Sequence, residues 1–339
     1  MTHRPGLTLK FLLACAFCAA SLSEAGAQDA APATQHGVAD APVVVTFTAV
    51  DKSKRFISTL RPEDVRVSVD GKPQPAADLT RRRDLPILLA VMLDTSNSQE
   101  RILPGAKHAA DVFVAGVMRP GVDRAAVVTF TNDATLEQGM TGDVKKVRDA
   151  IARVQLASPS NFIILTTPPP KGTPWPGSTA MWDAVYSVSN DLFGLAPGAE
   201  RRALIFLTDG EDTGSRVKSD EAIRAALRAG VAVYAVGSGD PVFGGPDKDA
   251  LRKLAERTGG RAFFPKKDVE LSDIFTQIRD ELFSQYAVTF TPPPGWRDGS
   301  FHKIKVELVN PELRAQGVLL ACPQEYFHKL AVAAAPVSR

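Results

Sequence analysis

Three separated stretches of the chain gather oxygen-bearing side chains in patterns that suit metal chemistry. The first is Asp94-Thr95-Ser96-Asn97-Ser98, directly after the apolar run Ile87–Leu93. An Asp and two Ser at alternate positions offer a carboxylate and two hydroxyls on a loop too short to disperse them. Such hard oxygens suit Mg²⁺, Ca²⁺ or Mn²⁺. Alone, the same pattern is also an ordinary capped strand-to-helix turn, because Asp and Ser are common turn and N-cap residues. The second stretch, Gly177-Ser178-Thr179-Ala180-Met181-Trp182-Asp183-Ala184, places Thr179 at the start of a predicted helix. The third, Leu204-Ile205-Phe206-Leu207-Thr208-Asp209-Gly210-Glu211-Asp212, is again an apolar strand ending in an Asp.

The elements that must position these residues follow from apolar patterning. Apolar residues that run on without alternation, as in Ile87–Leu93, suit a strand covered on both faces of a parallel sheet. Ligands of such sheets bind at the carboxyl ends of the strands, where Asp94 and Asp209 fall. Further strands are predicted over Ala125–Phe130, Arg202–Thr208 and Val231–Gly237. Helices are predicted over Ala106–Met118, Val144–Val154, Glu221–Ala229, Lys248–Thr258 and Val269–Phe283. This alternation predicts an α/β fold with a doubly wound, mostly parallel sheet. Flanking it, Val43–Val50 and Val65–Val69 read as strands, with a hairpin-type turn at Asp70-Gly71, and Gln285–Thr291, Phe301–Leu308 and Gly317–Cys322 return to strand character. Each flank has too few strands to bury a core alone, so the two are expected to pair as one small β-sandwich. Arg81-Arg82-Arg83 reads as a solvated connector.

At these residues the chain resembles the von Willebrand factor A domain family. That family's metal-ion-dependent adhesion site combines Asp-x-Ser-x-Ser with a distant Thr and a distant Asp, and Asp94, Ser96, Ser98, Thr179 and Asp209 match it in order. Asn97 departs from the Gly that many members carry, although Asn tolerates unusual backbone angles better than most residues. The wider layout is similar to bacterial secreted proteins with an A-related domain between two β segments. Arg61-Pro62-Glu63-Asp64-Val65, Asp70-Gly71-Lys72-Pro73, Thr258-Gly259-Gly260-Arg261, and Gln285-Tyr286 followed by His302-Lys303-Ile304-Lys305-Val306 carry that broader likeness. The resemblance implies Mg²⁺, or Mn²⁺ or Ca²⁺, held by the five residues, and a protein ligand that offers an acidic group to the ion. Asp183 and Glu211 are assigned to helix support or to orienting the ligands.

Composition narrows the rest. At 339 residues, 44% hydrophobic and 23% charged, the chain reads as soluble and globular, and a formal net charge of +2 favours no nucleic-acid partner. Residues 1–27 read as a secretory signal peptide: Arg4 and Lys10 precede the apolar segment Phe11–Leu22, and Ala25-Gly26-Ala27 supplies small residues for cleavage. The segment is short for a membrane span, so an exported, periplasmic or extracellular protein without stable membrane insertion is expected. Cleavage would leave Cys322 as the one remaining Cys, without an intramolecular disulfide partner. The predicted organisation is a signal peptide at 1–27, a linker at 28–40, an N-terminal β segment at 41–84, the A-like domain at 85–284, a C-terminal β segment at 285–327 and a tail at 328–339. The long connection 155–178, with Pro168-Pro169-Pro170 and Trp175, reads equally as a partner-touching rim or as an insertion in which Trp175 packs locally.

Two other functions compete with a secreted, metal-dependent adhesion or scaffold module. An Asp at a strand end could be the nucleophile of a haloacid dehalogenase-like phosphatase, but that family wants a second Asp where this chain has Ser96, so an enzyme ranks behind a binding module. The five His have no zinc-ligand spacing, and the linear sequence lets no Ser-His-Asp arrangement be inferred. The other alternative is an A-like structural domain whose metal site is vestigial.

Overall fold

A computed structural model describes residues 42–53, 55–75, 78–157, 178–194, 200–239, 245–266, 269–292 and 299–328. The proposed signal peptide, the linker, Trp175 and the proline run lie outside these residues. Strands β1 (Val43–Val50), β2 (Val65–Val69), β3 (Lys72–Gln74) and β4 (Asp78–Arg81) come first. The central region holds β5 (Ile87–Asp94), α1 (Leu103–Val117), β6 (Arg124–Phe130), β7 (Ala134–Thr141), α2 (Val144–Arg153), α3 (Met181–Ser187), β8 (Arg201–Thr208), α4 (Ser219–Arg228), β9 (Val231–Gly237), α5 (Lys248–Thr258), β10 (Ala262–Phe263) and α6 (Val269–Phe283). The chain then adds β11 (Tyr286–Phe290), β12 (Phe301–Leu308), α7 (Pro311–Ala315), β13 (Leu319–Ala321) and β14 (Glu325–Phe327).

The six-stranded sheet has the order β10-β9-β8-β5-β6-β7, parallel except for the antiparallel edge strand β7. All of β5 is buried because alternate side chains enter two separate cores. Ile87, Leu89, Val91 and Leu93 pack with residues of α1, α2 and α6, while Leu88, Ala90 and Met92 pack with residues of α3, α4 and α5. From β5 the chain crosses through α1 to β6 on one side, and from β8 it crosses through α4 to β9 on the other. The winding direction therefore reverses between the neighbours β5 and β8, which opens a crevice at their carboxyl ends. Strand β7 escaped the sequence pattern because its first four residues are exposed and show no apolar alternation.

Both flanks contribute to each of two antiparallel four-stranded sheets, β13-β1-β11-β4 and β14-β12-β2-β3. Their facing sides share one core that includes Phe47, Val67, Tyr286, Val288, Phe290 and Ile304. The expected sandwich is present, and its register ties the two ends of the chain, with Val43 opposite Phe290 and Val69 opposite Ile304. Arg81 is not a simple connector. It ends β4 and pairs with Tyr286, its side chain remaining exposed as an edge-strand arginine can.

Candidate metal centre

Asp94 closes β5, and the chain turns there because Thr95 leaves the strand through a bond from its backbone N–H to Phe130 O at 3.0 Å. Asp94 Oδ1 accepts from the backbone N–H of Ser96 at 2.9 Å, a local Asx-type turn that folds the loop back on its own carboxylate. Ser96 Oγ and Ser98 Oγ then lie 3.0 Å apart, and Ser98 Oγ donates to Asp209 Oδ2 at 2.5 Å. Asp209 follows the last residue of β8, so the crevice joins it to the Asp94 loop.

Thr179 is tied by a clasp to the loop after Asp209. Its N–H donates to Thr213 Oγ1 at 2.9 Å, and its carbonyl accepts from Thr213 N and Gly214 N. The first amides of α3 need partners outside the helix. Met181 N finds Asp212 Oδ1, and Trp182 N and Asp183 N find Ser215 Oγ. In return Asp183 Oδ1 accepts from Arg216 N and Val217 N, so Asp183 supports the loop, not the centre itself. Glu211 donates its backbone N–H to Asp209 Oδ1, and its side chain is exposed. Gly210 adopts φ 80°, and a Cβ there would meet Leu251 Cγ at 2.8 Å, so the sharp turn after Asp209 requires glycine.

Two polar residues at the centre were not singled out in the sequence. Thr208 Oγ1 donates to Asp94 Oδ2 at 2.6 Å, and Gln99 Nε2 donates to Asp209 Oδ2 at 3.0 Å. Thr208 precedes Asp209 by one residue and Gln99 follows Ser98 by one, so adjacency to the motif was the available signal. The loop 212–215 offered a weaker one, its run of Asp, Thr, Gly and Ser being typical of turns.

Asp94 and Asp209 are 2% and 5% exposed, and among the described residues neither has a Lys or Arg ion-pair partner. Burial pushes the Asp94 carboxyl up to about 6, against hydrogen bonds from Ser96 and Thr208, and the charge of Asp209 adds to the rise. Two buried carboxylates beside hydroxyls, with no Lys or Arg partner among the described residues, fit a hard divalent cation. Among the described residues no group of three or more His, Cys, Asp or Glu is placed to hold a metal, so an ion here would depend on the hydroxyl oxygens.

Residues 173–277 match the family model of the von Willebrand factor type A domain. Over that span the chain is a von Willebrand factor type A domain. The matched residues include Thr179 and Asp209, and the Asp94 loop precedes them. The chain is similar to proximal thread matrix protein 1 of the mussel byssus at 20% identity, over 62% of this chain and 49% of that one, with a TM-score of 0.48. It thus spans about half the length of the mussel protein, another structure of which is described as having a zinc-occupied MIDAS motif. It is also similar to a von Willebrand factor type A protein of Catenulispora acidiphila, at 14% identity over 87% of this chain and 75% of that one, with a TM-score of 0.48. Among the described residues no helix is long and apolar enough to cross a membrane.

Proposed function

We propose that the chain is an exported protein-binding module whose A-type domain engages its partner through a divalent cation. The observation that carries this reading is the pair of buried carboxylates Asp94 and Asp209 at the switch point of the sheet, with no Lys or Arg partner among the described residues. Asp94, Ser96, Ser98, Thr179 and Asp209 would hold the ion. When bound, the ion supplies a coordination position for an oxygen of an acidic residue on the partner. Asp94 and Asp209 balance its charge, Thr208 and Gln99 orient the two carboxylates, and the clasp of Asp212, Thr213 and Ser215 fixes Thr179. Mg²⁺ is the expected ion, with Mn²⁺ or Ca²⁺ also suited to these donors. Export rests on the basic, apolar and small-residue pattern of residues 1–27.

The vestigial reading has one observation in its favour: Ser98 and Thr208 already satisfy the two carboxylates by hydrogen bonding. A pull-down from native extract separates the two. Partners recovered with Mg²⁺ should be lost with EDTA and with Asp209→Ala, and reduced with Thr179→Ala. Recovery of the same partners under every condition would favour the vestigial site.

A further inference from the structure

Away from the crevice, at one end of the β-sandwich, a serine, a histidine and an aspartate form a hydrogen-bonded chain. Ser300 Oγ lies 3.1 Å from His302 Nε2, and His302 Nδ1 lies 2.8 Å from Asp70 Oδ2. Ser300 and His302 are two residues apart at the start of β12, and alternate residues of an extended segment share a face. Asp70 arrives from the turn after β2, where its N–H donates to Lys303 O and its Oδ1 accepts from Lys303 N, both at 2.9 Å.

The ring nitrogens are engaged in a definite order. An ionised carboxylate can only accept, so Nδ1 carries the hydrogen toward Asp70, and Nε2, when it carries none, can accept from the Ser300 hydroxyl. Asp70 is kept in that ionised form: burial alone would push its carboxyl up, but the hydrogen bonds from His302 and Lys303 hold it below its ordinary value. His302 is 8% exposed, and its ring stacks on Tyr326 with centroids 5.5 Å apart, which fixes its plane. Ser300 is half-buried, whereas His302 behind it is buried.

The backbone supplies a second observation. Asp70, with φ 48°, is the only non-glycine residue with positive φ among the described residues. Aspartate tolerates this region better than most residues, yet the conformation is uncommon and here delivers the carboxylate to His302. A hairpin turn alone has no need of a histidine positioned between a carboxylate and a hydroxyl.

We propose that Ser300 is a base-activated nucleophile that accepts an acyl group from an ester, with His302 as its general base and Asp70 as the positioning residue. Ser300 Oγ bonds to the ester carbonyl carbon while its proton passes to His302 Nε2. The ester C–O bond then breaks, and the departing alcohol takes that proton, leaving the acyl group on Ser300. Water reverses the sequence, giving up a proton to His302 and releasing the carboxylic acid as Ser300 is reprotonated. No oxidant or cofactor is required. This activity is independent of the metal-dependent binding proposed above.

A fluorophosphonate probe tests the nucleophile directly, because Ser300 Oγ would bond to phosphorus, fluoride would leave, and the hydroxyl proton would pass to His302. The purified protein should gain the mass of one phosphonyl group, mapped by peptide sequencing to Ser300. Ser300→Ala should show no adduct, and His302→Gln and Asp70→Asn should label about 100-fold more slowly or worse. Thermal melting keeps the comparison fair, since Ser300→Ala removes one hydroxyl and should melt close to wild type. An unlabelled wild type, or equal labelling of Ser300→Ala, would overturn the proposal.

Discussion

Thr208 donates its hydroxyl hydrogen to Asp94 Oδ2 at 2.6 Å, joining the carboxyl ends of β8 and β5 through side chains instead of the backbone ladder. Thr208 Oγ1 in turn accepts the N–H of Gly210 at 3.0 Å, so one threonine orients both the first carboxylate and the turn beyond the second. Thr208→Val keeps the shape and deletes both bonds. It should lower the stability of metal-free protein by about 1–3 kcal/mol, because Asp94 is then buried with a missing partner. Chemical denaturation of Thr208→Val and Thr208→Ser checks this, with Ser expected to retain most of the stability.

Asp123 predicts the acid limb of stability. It accepts from Ile87 N, from Arg119 N and from the Arg119 guanidinium, and so pins the start of β5 to the turn before β6. Burial alone would raise its carboxyl, but these bonds hold it below the ordinary value of 3.8. A depressed carboxyl stabilises the fold above its unfolded value, and that contribution is lost as pH falls through the folded one. Asp123→Asn should therefore lower stability at pH 7 by about 2 kcal/mol and flatten the acid limb in urea melts.

Glu281 predicts the opposite slope. It is fully buried on α6, accepts from Thr48 Oγ1 at 3.2 Å, and lies 3.5 Å from Arg261 Nε, too far for a strong pair. Burial raises its carboxyl above the ordinary value of 4.5. A raised carboxyl stabilises the fold below its unfolded value, and that contribution is lost as pH rises through the folded one. Glu281→Gln keeps an acceptor for Thr48 and removes the buried charge. It should match or exceed wild type at pH 8, by about 1 kcal/mol, in thermal or urea unfolding.

Export has a direct chemical signature. Cleavage after Ala27 should leave a mature chain beginning at Gln28, and intact mass of exported protein reads it. Retention of Met1 would contradict it.

The parallel sheet was legible because β5, β8 and β9 lie between two helical layers and show uninterrupted apolar runs. Asp94 and Asp209 were legible for the same reason, since each marks the point where such a run stops. What escaped depended on contacts far apart in sequence. Asp70 is separated from His302 by 232 positions, and only the antiparallel pairing of β2 with β12 brings them together. Thr208 resembled any strand residue until its hydroxyl was seen to face Asp94. The clasp on Thr179 escaped because Asp212, Thr213 and Ser215 look like any turn until α3 presents its unpaired amides to them.

Calorimetric titration of metal-free protein with Mg²⁺ and Mn²⁺ tests the central claim most directly. The account predicts one ion per chain, with affinity weakened by at least about 10-fold in Asp209→Ala, which deletes a charged donor, while Ser300→Ala binds as wild type does. An absence of binding to wild type, or equal affinity in Asp209→Ala, would contradict it.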